Sequence, residues 1–263
     1  MSQYLEKTRV TRIEQLSEDN VRITLKAPDI AGCCKPGQFV MIRTSVGKDP
    51  LLRRPFSIHQ ADSSGHIQIY FKVVGRGTGI LAHVKVGEVL SVFGPLGHGF
   101  QIDGDRPACL VGGGLGIAPL LFLAKEISRR RKDGCGRDLI ILGGRHRGEV
   151  APLADDFLQT GITTVVATDD GSYGRAGLVT DLLEHLEPAS DSQVFACGPE
   201  AMMAAVDRYC RHRSLSCQVS VESVMACGMG ACLGCSREAQ DGSYVHVCMD
   251  GPVFSATELQ WNL

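Results

Sequence analysis

The chain has 263 residues, of which 44% are hydrophobic and 21% charged, and its formal net charge at pH 7 is −2. This composition is typical of a folded globular protein with two domains and a small third, and the charge suggests neither a nucleic-acid nor an anionic-membrane partner. No apolar run approaches the roughly 18 residues of a membrane span. The first ten residues, MSQYLEKTRV, lack the apolar core of a signal peptide. We therefore expect a cytoplasmic protein with reduced thiols.

The first hundred residues form a series of strand patterns separated by Gly, Pro and Asp turns. These patterns are RVTRIEQL, NVRITLKA, QFVMIRT, HIQIYFKVV and VLSVFGPL. Short strands in such a series are typical of an antiparallel β-barrel. The sequence therefore predicts an antiparallel barrel domain over residues 1–101.

After the turn GDRP the pattern changes to short buried strands that alternate with longer helical segments. ACLVGGG precedes APLLFLAKEISRRR, DLIILGG follows, TTVVATDDG precedes LVTDLLEHL, and QVFACGP precedes EAMMAAVDRYCRH. Alternation of this kind predicts a parallel sheet covered by helices. We assign residues 102–215 to this α/β domain.

Two turns of the predicted parallel sheet are rich in glycine. The first runs Gly112-Gly113-Gly114-Leu115-Gly116, which departs from the usual G-x-G-x-x-G pattern and can also occur without a ligand. The second turn lies in ACGPEAMM, from Ala196. Both would lie at the carboxyl edge of the sheet, where a dinucleotide pyrophosphate can approach backbone amides at a helix N-terminus.

The predicted barrel contains a pair of arginines in the stretch LLRRPFSIH. Arg54 offers a permanently charged fork for a phosphate, and Ser57 a small donor that could approach a ring nitrogen. Taken alone, the pair is a weak indication, because arginines at a strand edge are usually just solvated.

Residues 216–263 contain a cluster of four cysteines with the spacing C-x4-C-x2-C-x12-C, namely Cys227, Cys232, Cys235 and Cys248. Plant-type [2Fe-2S] ferredoxins use this order. Disulfides would be unusual among reduced thiols, and zinc sites more often show two C-x2-C pairs. The spacing predicts a small [2Fe-2S] loop domain at the C-terminus.

A nicotinamide and an iron-sulfur cluster exchange electrons in different numbers. The nicotinamide hands over two electrons as hydride, whereas a [2Fe-2S] cluster accepts one at a time. A chain that holds both needs a carrier competent in each mode, and flavin is such a carrier. The barrel with its phosphate-binding arginine is where we expect the flavin.

Together the three parts resemble the ferredoxin-NADP reductase superfamily and, within it, the iron-sulfur electron-transfer subunits of B-type dihydroorotate dehydrogenases. The resemblance covers nearly the whole chain and is carried by RRPFSI, GRGT, GPLGHGF, VGGGLGIAPL, TDDGSYG, ACGPEAMM, SVESVMACGMGACLGC and VCMDGPVF. The last two segments are the most specific, because the superfamily at large lacks a cluster at the C-terminal end.

The resemblance implies which residues hold each cofactor. FAD would contact Arg54, Pro55, Phe56, Ser57, Phe71, Lys72, Val73, Gly77 and Thr78. NAD would contact Gly113, Gly114, Gly116, Asp170, Cys197, Gly198 and Pro199. The family more often has Tyr-Arg where this chain has Phe71-Lys72. No acid-base pair for oxidation of an organic acid stands out, and we expect Glu222 to act near the cluster.

The resemblance also implies a partner, a separate FMN-containing dihydroorotate dehydrogenase subunit, in a heterotetramer with two copies of each chain. Electrons would pass from FMN through the [2Fe-2S] cluster and FAD to NAD+ in pyrimidine biosynthesis. One alternative is the small subunit of an NADPH-dependent ferredoxin or sulfide oxidoreductase. Another is a one-electron carrier without nicotinamide chemistry.

The sequence carries opposing indications about which nicotinamide is used. Asp169 and Asp170 follow the strand TTVVAT, where carboxylates would repel a 2′-phosphate and accept ribose hydroxyls. Arg145 and Arg147, which follow LIILGG, could instead bind that phosphate. We favour NAD.

Overall fold

The computed structural model describes residues 2–45, 47, 49–131 and 134–261. These residues form two seven-stranded sheets and a two-stranded hairpin. Among them, no helix is both long enough and apolar enough to cross a membrane.

The N-terminal sheet is antiparallel and curls into an open barrel. Its strands are β1 (Tyr4–Gln15), β2 (Asn20–Lys26), β3 (Phe39–Arg43), β4 (Arg54–Ser57), β5 (Gln60–Ala61), β6 (His66–Lys72) and β7 (Val89–Leu96). The strands lie in the order β4-β3-β7-β1-β2-β6-β5, and β4 at one end of the sheet approaches β6 near the other. Two short helices lie in the connections, α1 (Pro28–Ala31) and α2 (Arg76–Ala82).

Alternation along the barrel strands places one face of each strand in the core. In β1, Thr8 and Val10 are buried whereas Lys7 and Arg9 are exposed, which is the period of two expected of a strand with one solvated face. The apolar side chains that point inward include Val10, Ile23, Ile42, Phe56, Ile69 and Phe71.

The second domain follows the predicted alternation of strands and helices. Its strands are β8 (Ala108–Gly113), β9 (Leu139–Gly144), β10 (Thr163–Thr168), β11 (Arg175–Ala176), β12 (Gln193–Cys197) and β13 (Ser216–Ser220). Its helices are α3 (Leu120–Arg130), α4 (Arg147–Leu158), α5 (Val179–Leu186) and α6 (Glu200–Arg213). The helix missing from the sequence prediction is α4, which contains Pro152 and is capped by His146.

The C-terminal segment adds the hairpin strands β14 (Ser236–Glu238) and β15 (Tyr244–His246), followed by β16 (Val253–Ser255). The second sheet has the order β11-β10-β9-β8-β12-β13-β16. The expected boundary between residues 215 and 216 falls just before β13, which pairs in parallel with β12. Because β16 returns to pair with β13, the four-cysteine segment is an insertion between the last two strands of this sheet.

Buried polar contacts fix the barrel against the α/β domain. His59, wholly buried after β4, donates from Nδ1 to the carbonyl oxygen of Ala118 at 2.6 Å. Burial lowers the pKa of His59 to about 4, so the ring is neutral at physiological pH. An ion pair between Arg22 and Asp156 joins the same two domains. The barrel is thereby held next to the first glycine turn.

Candidate functional site

A cleft of about 770 Å³ opens at the carboxyl edge of the parallel sheet. Both predicted glycine turns line it, with Gly113, Gly114 and Gly116 from the first and Gly198 and Pro199 from the second. Lys72, from the end of β6, lines its barrel side. Ligands of open α/β sheets bind at this edge, so the cleft is the candidate nucleotide site.

The two glycine turns are in direct contact. A Cβ added to Gly116 would lie 2.3 Å from the carbonyl carbon of Cys197 and 2.4 Å from the amide nitrogen of Gly198. A Cβ on Gly113 would lie 2.5 Å from Sδ of Met202. Side chains at these positions would push the turns apart. Glycine therefore keeps the backbone of both turns accessible to a ligand.

Two residues predicted for the nucleotide do not line the cleft. Cys197 is 3% exposed beneath the second turn, and burial raises the pKa of its thiol to about 12. Asp170 accepts hydrogen bonds from the backbone nitrogen and Oγ of Ser172, at 2.9 and 2.6 Å, and so shapes its own turn. The carboxylate on the cleft wall is that of Asp169.

Other charged residues of the cleft wall were not assigned to the nucleotide from the sequence. Glu222, expected near the cluster, follows the end of β13 and lines the cleft, as do Glu149, Glu200 and Arg237. Partial burial raises the pKa of the Glu222 carboxyl above its ordinary value. No sequence motif links these four residues, which come from four different elements.

Both arginines that could bind a 2′-phosphate already have partners. Arg145 donates from Nε to Oε1 of Glu149 at 2.9 Å, and its backbone nitrogen donates to Oε2 at 2.9 Å. The guanidinium of Arg147 lies 5.4 Å from the ring centroid of Tyr173. Arg147 does not line the cleft, and the charges that do at this end are the carboxylates of Glu149 and Asp169 and the guanidinium of Arg145, which is paired with Glu149.

On the barrel, Arg54 and the loop before α2 converge. Gly77 leaves room for Arg54, since an added Cβ would lie 3.0 Å from Nε. Oγ1 of Thr78 accepts hydrogen bonds from the backbone nitrogens of Val74 and Gly75, at 3.0 and 3.1 Å, and holds the loop in shape. A cavity of about 1000 Å³ runs along α2, with Lys7, Arg43, Arg76 and His83 among its lining residues.

The two predicted flavin-contacting aromatics lie in the barrel core. Phe56 and Phe71 are 7% and 4% exposed, and their ring centroids are 5.3 Å apart. Alternation along β4 places Pro55 and Ser57, both half-buried, on the face opposite Phe56. Val73, also half-buried, follows the end of β6.

The four cysteines of the C-terminal segment are free thiols arranged as two pairs. Cys232 lies close to Cys227, and the backbone nitrogen of Cys248 donates to Sγ of Cys235 at 3.4 Å, so Cys235 and Cys248 form the second pair. Within the described ranges, no three His, Cys, Asp or Glu side chains converge as ligands of a single metal ion. Each iron of a [2Fe-2S] cluster takes two thiolates, so the pairing fits that cluster better than a tetrahedral zinc.

Backbone amides of the loop point at these sulfurs. Met229 donates to Sγ of Cys227 at 3.4 Å, and Gly230 donates to Sγ of Cys248 at 3.3 Å. Slight burial opposes the effect, but amide hydrogen bonds lower the pKa of Cys227 to about 7, which favours the thiolate that binds iron. Leu233 adopts a φ of +56°, a strained conformation for a leucine, between Cys232 and Cys235.

The surface around the cysteine loop is apolar. Val224 is 87% exposed, Met229 50%, Leu233 55% and Met249 43%. We call these four residues the cluster rim. Cys232 itself is exposed, so the sulfur pair that it forms with Cys227 lies close to the molecular surface.

Comparison with known proteins agrees with this geometry. Family models match residues 7–100 as an oxidoreductase FAD-binding domain and residues 110–208 as an oxidoreductase NAD-binding domain. Residues 222–260 match the iron-sulfur cluster binding domain of dihydroorotate dehydrogenase B. The electron transfer subunit of dihydroorotate dehydrogenase B (NAD(+)) from Geobacillus thermodenitrificans is 40% identical, over 96% of this chain and 98% of the relative. The chain belongs to this family of electron transfer subunits.

Other relatives extend the comparison. The family member from Fusobacterium nucleatum is 35% identical over 97% of this chain and 98% of its own length. A solved NADH-dependent reduced ferredoxin-NADP oxidoreductase is 28% identical, with a TM-score of 0.86 over 97% of this chain and 90% of that one. The ferredoxin reductase of carbazole 1,9a-dioxygenase, at 21% identity and a TM-score of 0.68 over 82% of this chain and 67% of that one, shares the fold.

These findings confirm the multidomain fold and the three cofactors predicted from the sequence. The chain is an oxidoreductase subunit with FAD-binding, NAD-binding and iron-sulfur parts in that order.

Proposed function

We propose that the chain passes electrons from an FMN-containing dihydroorotate dehydrogenase subunit to NAD+. The observation that carries this proposal is the position of the cysteine loop, which packs directly on the flavin-binding barrel. A Cβ added to Gly228 in the loop would lie 2.6 Å from Cγ of Met41 in β3. Bound flavin would exchange two electrons at once with a nicotinamide and one electron at a time with the cluster.

Each cofactor has a proposed set of ligands in this chain. Cys227, Cys232, Cys235 and Cys248 would hold the cluster. Arg54, Gly77 and Thr78 would hold the phosphate end of FAD, with Pro55, Ser57, Lys72 and Val73 nearer its ring. The cleft glycines Gly113, Gly114, Gly116 and Gly198, with Pro199, would bind the nicotinamide dinucleotide. Asp169 takes the place that we expected for Asp170.

The chain supplies only half of the proposed reaction. The relatives are named as electron transfer subunits of dihydroorotate dehydrogenase B, and that description requires a catalytic partner. We propose that this partner binds FMN and that two copies of each subunit form a two-fold heterotetramer. The 11 free cysteines suit a reducing compartment, and we place the complex in the cytoplasm.

The cluster rim is the proposed docking surface for the catalytic subunit. Electron transfer between two proteins requires their cofactors to approach closely, and the cysteine loop brings one sulfur pair to the surface. The rim side chains Val224, Met229 and Leu233 are apolar and exposed around that pair. Apolar side chains at the centre of an interface release water on binding, so a partner would stabilise this region.

Reconstitution tests the division of labour. Purified alone, the chain should oxidise NADH with ferricyanide as acceptor and leave dihydroorotate unchanged. Mixed with an FMN-bearing dihydroorotate dehydrogenase subunit, it should give NAD+-dependent formation of orotate and elute as a complex. Turnover of dihydroorotate by the isolated chain would contradict the proposal, as would failure of every FMN subunit to couple to it.

A matched pair of variants tests the docking surface. Val224→Asp should abolish co-elution with the FMN subunit because it places a charge in the apolar rim. Val86→Asp is the control, since Val86 is 64% exposed on the barrel between α2 and β7. The docking proposal is wrong if both variants co-elute equally well.

The alternative function, the small subunit of an NADPH-dependent ferredoxin or sulfide oxidoreductase, is less well supported by the comparisons. The solved ferredoxin-NADP oxidoreductase shares almost the whole chain at 28% identity. The dihydroorotate dehydrogenase B relatives are more similar, at 35% and 40% identity over the same extent. NADPH-driven reduction of a ferredoxin, without coupling to dihydroorotate, would support this alternative.

A further inference from the structure

Arg237 belongs to the cluster segment but lies on the wall of the nucleotide cleft. It occupies the middle of β14, two residues after Cys235. Its Nη2 donates to a carboxylate oxygen of Glu200, in the first turn of α6, and to the carbonyl oxygen of Gln260 at 3.3 Å. The guanidinium therefore stands beside the second glycine turn, which α6 directly follows.

The position of this guanidinium is fixed by its neighbours. It lies 5.4 Å from the ring centroid of Trp261, and Nε1 of Trp261 donates to Oδ2 of Asp207 at 3.0 Å. Asp207, on α6, is 3% exposed. The cluster hairpin, the C-terminal residues and α6 thus form one connected unit. A cation held in this way loses little conformational freedom when it binds a ligand.

Arg237 has hydrogen-bonding capacity that its protein neighbours leave unused. The side chain is 16% exposed, and Nε is buried with no hydrogen-bond partner within the described part of the chain. A guanidinium has five N–H donors in a rigid fork, and both recorded bonds leave from Nη2. Nε is buried, so the donors that a ligand in the cleft can reach are those of the two terminal nitrogens, and a charge-assisted bond to one of them would stabilise the ligand.

The charges of the cleft indicate what kind of ligand that is. Four carboxylates line the cleft against three cations, and one of these cations, Arg145, is engaged by Glu149. Lys72 lies on the barrel side, so Arg237 is the cation beside the second glycine turn. Without Arg237 the lining would hold four carboxylates and two cations. A dinucleotide, with two negative phosphates, needs a cation there to offset this field.

We propose that Arg237 binds the diphosphate of the nicotinamide dinucleotide and that Glu200 competes with the diphosphate for the same guanidinium. The inference rests on the proposed use of the cleft for NAD+ and NADH. The matched NAD-binding domain ends at residue 208, and Arg237 lies within the segment matched as iron-sulfur binding. The cluster segment therefore completes the nucleotide site, and guanidinium forks are well suited to phosphate oxygens.

Calorimetric titration with NAD+ tests this on the oxidised holoprotein, where no electrons are exchanged. Arg237→Gln should raise the Kd for NAD+ about tenfold, the loss expected for one charge-assisted hydrogen bond. ADP-ribose, which has the diphosphate but no nicotinamide, should show the same loss. Arg213→Gln is the matched control, because it removes another α6 ion pair, with Glu187, outside the cleft lining. It should change the Kd less than about twofold.

Glu200→Gln distinguishes a ligand from a purely structural arginine. Removal of the competing carboxylate should tighten NAD+ binding several-fold, whereas a structural ion pair predicts unchanged or weaker binding. If Arg237→Gln loses the visible absorbance of the cluster, its Kd for NAD+ is not interpreted. The Kd of Glu200→Gln then tests the proposal on its own. NAD+ binding to the parent protein with an unchanged Kd in Arg237→Gln overturns this inference only. Absence of NAD+ and NADH binding to the parent protein overturns the proposed function itself.

Discussion

The cysteine loop and the nucleotide cleft both depend on glycine, but for different reasons. In the loop, Gly228 and Gly230 have φ angles of +73° and +78°, a left-handed conformation that lets the backbone fold round the sulfurs. In the cleft, Gly114 and Gly198 also have positive φ angles, +56° and +158°, but Gly116 does not, and its constraint is contact with the backbone of Cys197 and Gly198. The φ constraint in the loop is local in the chain, although Gly228 also packs against Met41 of the barrel, whereas the contact at Gly116 joins segments about 80 residues apart.

This difference separates the two regions functionally. The four cysteines proposed as cluster ligands lie in a short loop and near the ends of the β14–β15 hairpin, in the segment inserted between β13 and β16. The cleft is assembled from the ends of several strands and the helices that follow them. Damage to one region should therefore leave the other largely intact, and the exception that we propose is Arg237.

The largest expected effect is the loss of the cluster in Cys232→Ser. Removing one thiolate from a sulfur pair should eliminate roughly two irons per chain and the visible iron-sulfur absorbance. Because Arg237 is held in the cleft by Glu200, Gln260 and Trp261 rather than by the cysteines, the Kd for NAD+ should stay within about twofold of its original value. Cys33→Ser, at an exposed cysteine after α1, is the control and should keep its iron. Unchanged iron in Cys232→Ser would contradict the ligand assignment.

The reciprocal variant is Gly116→Ala. Its methyl group would lie 2.3 Å from the carbonyl carbon of Cys197, so the two glycine turns must separate. Overpacking of this kind costs about 1–3 kcal/mol, and we expect NAD+ binding to weaken up to about 100-fold with the iron content unchanged. Gly136→Ala is the control, since nothing lies within 4 Å of an added Cβ there. Equal NAD+ affinities for the two variants would show that the contact between the two glycine turns does not matter for NAD+ binding.

The same contrast explains how much of the site could be predicted from the sequence. The cysteine spacing and the two glycine turns are continuous motifs, so the sequence supplies the four proposed cluster ligands and the glycines that line the cleft. Glu149, Glu222 and Arg237 carry no motif, because three distant segments meet only when the sheet forms. The sequence could not distinguish Asp169 from Asp170, because the two are adjacent. The structure shows that Asp170 hydrogen-bonds Ser172 within its own turn, whereas Asp169 lines the cleft.

The fold was predicted in most of its elements for a similar reason. The series of short strands in the first hundred residues predicted the barrel. The alternation of strands with helices after it predicted the parallel sheet. The helix α4 was missed because Pro152 lies inside it and its apolar residues follow the helical period only weakly. The return of β16 to the edge of the sheet beside β13 is a long-range pairing that no local pattern announces.

The barrel provides a third region against which to test the separation. Arg54→Ala should lower FAD affinity about tenfold, since it removes a charge-assisted hydrogen bond to a phosphate. Iron content should not change. Flavin retained after gel filtration, measured per chain, reports the effect. Arg12→Ala, at a largely exposed arginine of β1, is the control. If Arg54→Ala retains as much flavin as the parent protein, Arg54 does not bind the flavin.

The smallest expected effect concerns the choice between NADH and NADPH at the far end of the cleft. Glu149 accepts hydrogen bonds from both the side chain and the backbone of Arg145. Burial opposes ionisation, but these bonds hold the pKa of Glu149 below its ordinary value, so it is charged at neutral pH. Glu149 and Asp169 would together repel a 2′-phosphate, and Arg145 is already neutralised. NADH should therefore be preferred, as the sequence suggested.

Glu149→Gln frees Arg145 while nearly preserving side-chain volume, so the ratio of kcat/KM for NADPH to that for NADH should rise about tenfold. The ferricyanide assay measures both values. Glu126→Gln, which breaks comparable pairs with Arg129 and Arg130 on α3, is the control and should leave the ratio unchanged. The iron content should not change, because the choice between NADH and NADPH is made in the cleft. A parent protein that already prefers NADPH would contradict this prediction. The carboxylates would then not determine the choice between NADH and NADPH.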